Sequence, residues 1–322
     1  MNIRPSLELP PPPADETQWP WTAPYRPRRP QLPDGCSWPL VSIVTPSFNQ
    51  GGFIEETIRS VLLQGYPNLE YLIIDGGSTD STIDVIKKYE SWIDYWVSEP
   101  DRGQTHAINK GFERARGDIV AWLNSDDTYE PGAIETAVHH MLDRNSAVVY
   151  GSANIIDEHG RRSRVVIPPK VTFDSLLRFW VVPESTPPQP AIFFRRHVLE
   201  EVGFLDESLR YVMDYELWMR IAKKYSFSYV DAVIANCRMH SQSKTISQNP
   251  YFAPERYRVS LGYGRSQGLG YRLPYWKSYV YYKLRVCRFY IWRSIRQQPA
   301  LKPLVRVVLR LVGDRSVGSG RT

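Results

Sequence analysis

The stretch LVSIVTPSF, residues 40–48, decides the fold, because it is short, apolar and rich in β-branched side chains. Runs of this kind form strands that are buried in a parallel sheet. Apolar residues then recur at helical spacing from Ile54 to Leu62, and a second apolar strand, LEYLIID, follows at residues 69–75. These segments predict a strand, a helix and a second strand that pairs with the first.

The same alternation continues along the chain. YWVSEP (95–100) predicts a third strand, GQTHAINKGFERARG (103–117) a helix, and DIVAWLN (118–124) a fourth strand. Alternating strands and helices predict an α/β fold with an open, mainly parallel, Rossmann-like sheet that carries helices on both faces. Beyond residue 150 we expect a hairpin near Gly160 and further strands that extend this sheet. No G-x-G-x-x-G or P-loop motif follows a predicted strand, which argues against a dinucleotide oxidoreductase or a P-loop NTPase.

The ends of the chain differ in composition from its centre. Residues 1–38 are proline-rich, and we expect a disordered leader rather than a signal peptide. Residues 39–245 hold the alternating pattern and predict the catalytic domain. No apolar run reaches about 18 residues, so a membrane-spanning helix is not expected. Three scattered cysteines fit a reducing compartment, which predicts a cytoplasmic protein.

Residues 246–322 predict a basic, aromatic-rich helical extension. Residues 251–322 contain 15 Lys and Arg against two Asp and Glu, whereas the rest of the chain contains 25 against 32. The segment 271–312 mixes aromatic residues with cations, which suits the anionic surface of a membrane and predicts peripheral association with its inner face. The alternative is a pair of ordinary helices that pack on the catalytic domain. No nucleic-acid partner is expected, because no nucleic-acid-binding motif accompanies the charge.

Two polar clusters follow predicted strands, at the sheet edge where ligands of open α/β sheets bind. In LNSDD (123–127), Asp126 and Asp127 are oxygen ligands suited to a divalent cation that bridges a diphosphate. The alternative is an Asx turn that only starts the next helix. In DGGSTDST (75–82), Asp75 is placed to accept a hydrogen bond from a nucleoside base, or the segment is only a helix cap with Ser78 at its N-terminus.

Two later residues are candidates for chemistry. Asp214 in MDYELWMR (213–220) shares a helical face with Trp218, so its carboxylate can face a cleft as a general base while the indole packs beneath. The alternative is a solvated acid at a helix start. His240 follows the last predicted strand and is either a metal or phosphate ligand, or an ordinary histidine.

Taken together, the five segments at 44–64, 69–82, 98–118, 120–127 and 213–220 resemble, in order, the motifs of family 2 glycosyltransferases with a GT-A fold. The resemblance spans about 200 residues. It implies an inverting transfer from a nucleotide-sugar donor, with Mg²⁺ or Mn²⁺ as cofactor. The first acidic position of the D-x-D motif is Asn124 here, and the glutamate before the catalytic aspartate is replaced by Met213.

The resemblance also implies roles for individual residues. Asp214 would be the catalytic base, and Asp126, Asp127 and His240 would hold the metal. The implied donor-binding residues are Thr45, Pro46, Ser47, Asp75, Asp101, Asn109, Lys110 and Ser125.

We therefore expect a hexosyltransferase-type enzyme that acts on a saccharide or a lipid-linked saccharide during surface polysaccharide biosynthesis. Two other hypotheses stay open. One is a non-catalytic nucleotide-sugar-binding scaffold at the membrane, which Asn124 and Met213 keep possible. The other is a nucleotidyltransferase, although no glycine-rich, arginine-containing loop follows the first strand.

Overall fold

The structure is a computed structural model that describes residues 9–13, 18–22, 31–32, 35–177, 186–247 and 249–265. The chain divides into two units, residues 1–256 and 257–322, and residues 257–265 of the second unit are described. The predicted membrane-binding segment 271–312 lies outside the described residues, and the predicted domain boundaries stay predictions.

The described strands and helices alternate through the first half of the chain. The strands are β1 Val41–Ser47, β2 Leu69–Asp75, β3 Tyr95–Ser98, β4 Ile119–Trp122, β5 Thr128–Tyr129, β6 Val148–Ile156, β7 Arg162–Val166, β8 Ile192–Arg195 and β9 Phe227–Arg238. The helices are α1 Ile54–Leu62, α2 Thr82–Lys88, α3 Gln104–Arg114, α4 Ala133–Asp143, α5 Phe173–Leu177, α6 Arg196–Val202, α7 Met213–Ala222, α8 Lys244–Ser247 and α9 Asn249–Arg265.

The strands form one sheet with the order β3-β2-β1-β4-β8-β6-β9-β5, and β7 pairs with β6. Strands β3, β2, β1 and β4 are parallel, as the βα alternation predicts. The second half is mixed, because β8 runs antiparallel to both of its neighbours and β5 runs antiparallel to β9. The carboxyl ends of β1, β2, β4, β6 and β9 consequently meet at one edge of the sheet.

Both faces of the sheet are covered by helices. Successive residues of β1 point to opposite faces, so Ile43 joins the core cluster that includes Ile58 of α1, while Val44 contacts α3. On the α3 face Trp122 stacks on Trp218 with ring centroids 5.3 Å apart. Trp218 is fully buried, as its position one turn after Asp214 predicts.

Helix α3 packs on β1 without a gap at Gly111. A Cβ atom at this position would lie 2.2 Å from Cγ1 of Val44, far inside van der Waals contact. Glycine therefore sets the distance between the helix and the strand that carries the first part of the site.

Parts of the predicted leader lie against α1. The buried Arg59 guanidinium donates hydrogen bonds to the carbonyl oxygens of Pro10, Pro20 and Trp21, at 2.8, 3.2 and 3.0 Å. The indole of Trp19 donates to the carbonyl of Tyr129 at 2.8 Å. The described leader residues are therefore bound to the catalytic domain on the side of α1.

Two further predictions have a structural outcome. The hairpin near Gly160 is present as β6 and β7, with Gly160 at φ +75°. Ser78 does not cap α2, because that helix begins at Thr82 after Ser81, and Ser78 instead bonds to Asp75 and Asn49. No helix among the described residues is long and apolar enough to cross a membrane.

Candidate active site

Asp75 ends β2 at the carboxyl edge of the sheet and is completely buried. Its Oδ2 accepts hydrogen bonds from the backbone N–H groups of Gly77 and Ser78 and from the Ser98 hydroxyl, at 3.0, 2.8 and 2.7 Å. The carboxylate is thereby held in one orientation between β2 and β3. The Asp75 carboxylate also fixes the loop that follows β2. The segment 75–82 therefore organises this loop and does not merely cap a helix at Ser78.

The loops after β1 and β2 are joined to each other. The backbone N–H of Asn49 donates to Ser78 Oγ at 2.7 Å, and the N–H of Gly51 donates to Asp80 Oδ2 at 2.9 Å. At Gly51 a Cβ atom would meet Ser81 Oγ at 2.1 Å, so a side chain would separate the two loops. This pairing builds one wall of the site from two strand ends.

Three predicted donor-binding residues belong to β1, and the structure gives each a different environment. Thr45 lies inside the domain, where its hydroxyl is 3.1 Å from the Tyr71 hydroxyl. Pro46 is also buried. Ser47 is buried, and its Oγ has no protein hydrogen-bond partner within the described residues. A buried hydroxyl without a partner is costly, which makes Ser47 Oγ the β1 atom best suited to meet a ligand.

Phe48 follows Ser47 and has 58% of its side chain exposed. Sequence reasoning missed this residue, although an aromatic side chain directly after a buried strand was a signal for it. An exposed ring directly after Ser47, at the carboxyl end of β1, offers a flat apolar face at the sheet edge where ligands of such sheets bind.

Asp126 and His240 meet at the same edge, although 114 residues separate them along the chain. His240 Nε2 lies 3.0 Å from Asp126 Oδ2, and His240 is only 6% exposed. The imidazole packs on Phe53 with ring centroids 4.5 Å apart. The β4 end and the β9 end therefore present one carboxylate and one imidazole together.

Asp127 has a different environment from Asp126. Its Oδ1 accepts a hydrogen bond from the backbone N–H of Arg238 at 2.9 Å, and its Oδ2 accepts one from the Asn124 amide at 3.2 Å. Burial, and then the neighbouring Asp126 carboxylate, raises the pKa of Asp127 well above its usual range. The role predicted for Asp127 as a metal ligand stays a prediction, and the contacts give it a part in holding β9 beside the loop.

Arg238 is a second residue that sequence reasoning missed. Its buried guanidinium donates to the Asp126 carbonyl at 2.9 Å and pairs with the Glu56 carboxylate. It also donates to the carbonyl oxygens of Asp157 and Glu158 in the β6–β7 turn, at 3.2 and 3.3 Å. Arg238 thus ties the Asp126 loop to α1 and to the neighbouring hairpin.

Asn124, at the first position of the D-x-D-like motif, lies in a chain of amides. It accepts a hydrogen bond from the Gln104 amide at 2.7 Å and donates one to Gln189 Oε1 at 2.8 Å. Gln104 in turn accepts from the Lys244 ammonium at 2.9 Å. An amide serves here as both donor and acceptor, which a carboxylate cannot do.

The remaining predicted donor-binding residues contact other parts of the protein. Asn109 exchanges two hydrogen bonds with the backbone of Leu205, at 2.9 and 3.1 Å, and Lys110 pairs with Glu99. Asp101 accepts from the Gly103 N–H at 2.6 Å, and Ser125 is buried beside Asp126. Their roles in donor binding stay predictions, and Asn109 holds the loop that leads into α7.

Asp214 lies in the first turn of α7 and is partly buried. Its Oδ1 accepts a hydrogen bond from the Tyr215 N–H at 2.7 Å. Burial raises the pKa of Asp214, and the Tyr215 hydrogen bond and the Arg256 charge act against this rise. A carboxylate whose pKa is raised toward neutrality accepts a proton more readily than an exposed one.

The residues at Asp126 suit a divalent cation. A carboxylate oxygen, which both Mg²⁺ and Mn²⁺ prefer, lies beside an imidazole nitrogen, which is a ligand for transition-metal ions such as Mn²⁺. Among the described residues no group of three or more His, Cys, Asp or Glu side chains is arranged to hold a metal. An ion at this pair would complete its coordination with water and with the oxygens of a diphosphate, as Mg²⁺ commonly does.

Solved structures of two other proteins have the same fold. The S. aureus TarS 1–349 complex with UDP-GlcNAc is 19% identical, with a TM-score of 0.56 over 69% of this chain and 65% of that one. Mannosyltransferase PcManGT from Pyrobaculum calidifontis, in complex with GDP-Man and Mn²⁺, is 18% identical, with a TM-score of 0.54 over 74% of this chain and 68% of that one. The curled α/β sheet with its helices is therefore the GT-A fold of glycosyltransferases, as predicted.

Sequence comparison then gives the family. The model of glycosyl transferase family 2 matches residues 42–203, and this chain belongs to that family. The putative teichuronic acid biosynthesis glycosyltransferase TuaG of Bacillus subtilis is 31% identical over 226 residues, which cover 68% of this chain and 85% of TuaG.

Two other relatives differ in how much of their length is matched. The UDP-Glc:alpha-D-GlcNAc-diphosphoundecaprenol beta-1,3-glucosyltransferase WfgD of Escherichia coli is 30% identical over 224 residues, which cover 69% of this chain and 85% of WfgD. An uncharacterized glycosyltransferase of Rickettsia felis is 31% identical over 219 residues, but this chain spans only 36% of its length.

Proposed function

We propose that this chain transfers a sugar, with inversion, from a nucleotide-sugar donor to a saccharide or lipid-linked saccharide acceptor. The observation that carries the proposal is the meeting of Asp126 and His240, 3.0 Å apart, at the edge where β1 and β2 also end. A donor diphosphate bound there would lie beside both side chains. Membership of a glycosyltransferase family supports the transfer reaction itself.

The donor would occupy the wall formed by β1 and β2. The Ser47 hydroxyl is available to a ribose or base, Asp75 is held as an acceptor, and the Phe48 ring offers a stacking surface for the base. TarS is solved with UDP-GlcNAc and PcManGT with GDP-Man, which supports a nucleotide-sugar as ligand.

Asp126 and His240 would hold Mg²⁺ or Mn²⁺ against the diphosphate, with Asp127 behind them. A divalent cation there supplies charge that stabilises the departing nucleoside diphosphate. The protein holds these side chains in place through Arg238, which ties the Asp126 carbonyl to α1.

Asp214 would remove the proton from the acceptor hydroxyl as that oxygen attacks the anomeric carbon. The bond from the anomeric carbon to the donor phosphate oxygen breaks in the same step, so the configuration at that carbon inverts. The raised pKa of Asp214, which comes from burial, supports this role, because a carboxylate with a higher pKa is a stronger base.

Support for the acceptor class comes from the names of relatives and not from the geometry of the site. The name of WfgD gives it a diphosphoundecaprenol-linked acceptor, and that of TuaG places it in teichuronic acid biosynthesis. We extend this to a role of the present chain in surface polysaccharide biosynthesis, on the cytoplasmic face of the membrane. Segment 271–312 would contact the anionic lipid surface.

A non-catalytic nucleotide-sugar-binding scaffold is the second candidate. The observation that favours it is Asn124, whose amide occupies the first acidic position of the motif and bonds within the protein. Such a scaffold would bind donor and metal without turnover.

Donor binding is tested by thermal unfolding of the full chain with UDP, GDP, dTDP and their sugars, with and without Mn²⁺ or Mg²⁺. We expect one nucleotide series to raise the Tm by several degrees with metal. Asp126→Ala should abolish this rise. Asp84→Ala, which removes an exposed carboxylate on α2, serves as the matched control and should retain it.

Four outcomes would contradict the proposal. A rise that needs no metal would reject the part of the metal in donor binding, and a rise that persists in Asp126→Ala would remove Asp126 from the site. Absence of any nucleotide effect would reject donor binding. Transfer is examined separately by NMR of the product, where retention of the anomeric configuration would reject inversion.

A further inference from the structure

Arg59 of α1 is a buried cation whose hydrogen-bond partners come mainly from the leader. Its guanidinium donates to three leader carbonyl oxygens, those of Pro10, Pro20 and Trp21. It also donates to the Tyr89 hydroxyl at 3.0 Å, and its central carbon lies 5.3 Å from the centre of the Trp21 ring. A buried charge that loses its partners is costly, so the bound leader is favoured over the released one.

Other residues of α1 hold the segment 126–130, which includes β5. The Thr57 hydroxyl donates to the Asp127 carbonyl at 2.7 Å. The Ser60 hydroxyl accepts a hydrogen bond from the Tyr129 N–H at 3.2 Å. Helix α1 therefore sets the position of this segment through its backbone.

The leader also contacts the same segment directly. The Trp19 indole N–H donates to the Tyr129 carbonyl at 2.8 Å, so α1 binds one backbone group of Tyr129 and the leader binds the other. Leu9 is partly buried and packs against the hydrophobic core. The leader, α1 and the segment 126–130 are consequently bonded to one another in all three pairs.

We propose that the leader is an intramolecular clamp that holds the segment 126–130 against α1 and so fixes Asp126 where it meets His240. Leader residues 9–13 and 18–22 occupy the binding surface. The purpose of the clamp rests on the proposed function, in which a fixed Asp126 keeps the cation site formed before donor and metal arrive. Release of the leader would loosen Asp126 without any change in the residues of the site, which gives the chain a means of regulation.

The experiment is amide hydrogen exchange of the full chain, without nucleotide or divalent cation, read by mass spectrometry. Trp19→Phe removes the indole N–H that reaches Tyr129 and keeps an aromatic ring. Arg59→Met removes the bonds to the leader carbonyl oxygens. We expect each variant to raise the exchange rate of the segment 126–130 by about three- to tenfold, because a lost hydrogen bond makes local opening easier.

Two controls separate the clamp from general stability. Gln18→Ala changes an exposed side chain of the leader and keeps the carbonyl that accepts from the Trp21 N–H, so the segment 126–130 should exchange as in the wild type. Helix α7 packs on the face of the sheet opposite α1, where Trp218 stacks on Trp122. Its exchange should not change in either test variant.

Two results would overturn the proposal. One is wild-type exchange of the segment 126–130 in folded Trp19→Phe and Arg59→Met variants. The other is an equal rise in α7, which would mean that the leader adds only general stability. If Arg59→Met does not fold, Trp19→Phe decides alone, because it leaves the buried cation with its partners.

Coupling between the two places is reciprocal, which supplies a second measurement. If a nucleotide with Mn²⁺ raises the Tm of the wild type, the same mixture should slow exchange of leader residues 18–22 at least about twofold. It should not do so in Asp126→Ala. Binding that leaves the leader rates unchanged would overturn the link to Asp126. If no nucleotide raises the Tm, donor binding fails, whereas exchange in Trp19→Phe and Arg59→Met still decides whether the clamp exists.

Discussion

At the scale of residues, Asp214 combines burial with a position in the first turn of a helix. Burial raises its pKa, so the working form, the carboxylate, is lost on acidification at a higher pH than for an exposed aspartate, whose pKa is about 3.9. The enzyme should therefore lose activity as the pH falls through this raised pKa.

The first prediction concerns Asp214→Asn. Because the base acts mainly in the transition state, we expect kcat to fall by about 10²- to 10⁴-fold, with donor binding unchanged. The acidic limb of the wild-type kcat/KM profile should lie above the usual aspartate range. Steady-state kinetics from pH 4 to 9, together with nucleotide-dependent thermal unfolding, measure both quantities.

Glu216→Gln is the matched control, since Glu216 lies in the same turn but pairs with Arg220 at 2.8 Å. It should lower the Tm and leave kcat within a few fold. Equal losses of kcat in the two variants would mean that the turn, and not the Asp214 carboxylate, matters.

Sequence patterns predicted where residues lie along the strands and helices better than they predicted contacts between distant residues. Asp75 and Asp126 follow β2 and β4 at the carboxyl edge of the sheet, as the strand pattern predicts, and Asp214 lies in the first turn of α7. Their roles in the site stay predictions. Contacts between distant segments carry no local signal, so the bonds of Asn109 to Leu205 and of Glu255 to residues 210–212 were not foreseen.

At the scale of elements, the β1–α3 contact depends on the missing side chain of Gly111. The second prediction is that Gly111→Ala lowers the free energy of unfolding by about 1–3 kcal/mol, because its Cβ overlaps Val44. Alanine favours a helix over glycine by about 1 kcal/mol, which opposes but does not cancel the overlap. Urea denaturation measures the change.

Gly262→Ala provides the comparison on α9, because no atom lies within 4 Å of the added Cβ there. It should be neutral or stabilising by up to about 1 kcal/mol. If both alanine variants behaved alike, the overlap at Val44 would be relieved by a small shift and the tight contact would not control stability.

The parallel part of the sheet was predicted strand by strand, because regular βα alternation leaves few other arrangements. In the mixed part the hairpin near Gly160 and further strands of the sheet were also predicted, but the antiparallel direction of β8 and the strand β5 were not. The two-residue strand β5 is too short to show a period, so its pairing with β9 rather than a sequence pattern defines it.

At the scale of the whole molecule, binding of the basic extension to a membrane stays a prediction. The third prediction is that full-length protein floats with vesicles containing anionic phosphatidylglycerol but not with neutral phosphatidylcholine vesicles. A chain ending at Arg265 should lose this binding and keep its nucleotide-dependent Tm. That endpoint keeps the whole of α9, so a loss of flotation is assigned to the residues after Arg265.

Neutral vesicles and high salt are the controls for charge, because screening weakens attraction to an anionic surface. Equal flotation of the full chain and the chain ending at Arg265 would remove segment 271–312 from membrane binding.

The sheet order also determines when the site is complete during synthesis. Strand β5 pairs with β9, and Asp126 meets His240, only after more than 100 further residues have been made. Contacts so distant in sequence slow folding, because the chain between them must be ordered first. The parallel strands β1, β2 and β4 can assemble on the ribosome early. The nascent chain would thus hold half a sheet, with β4 exposed as an edge, until β8 and β9 emerge to complete the sheet.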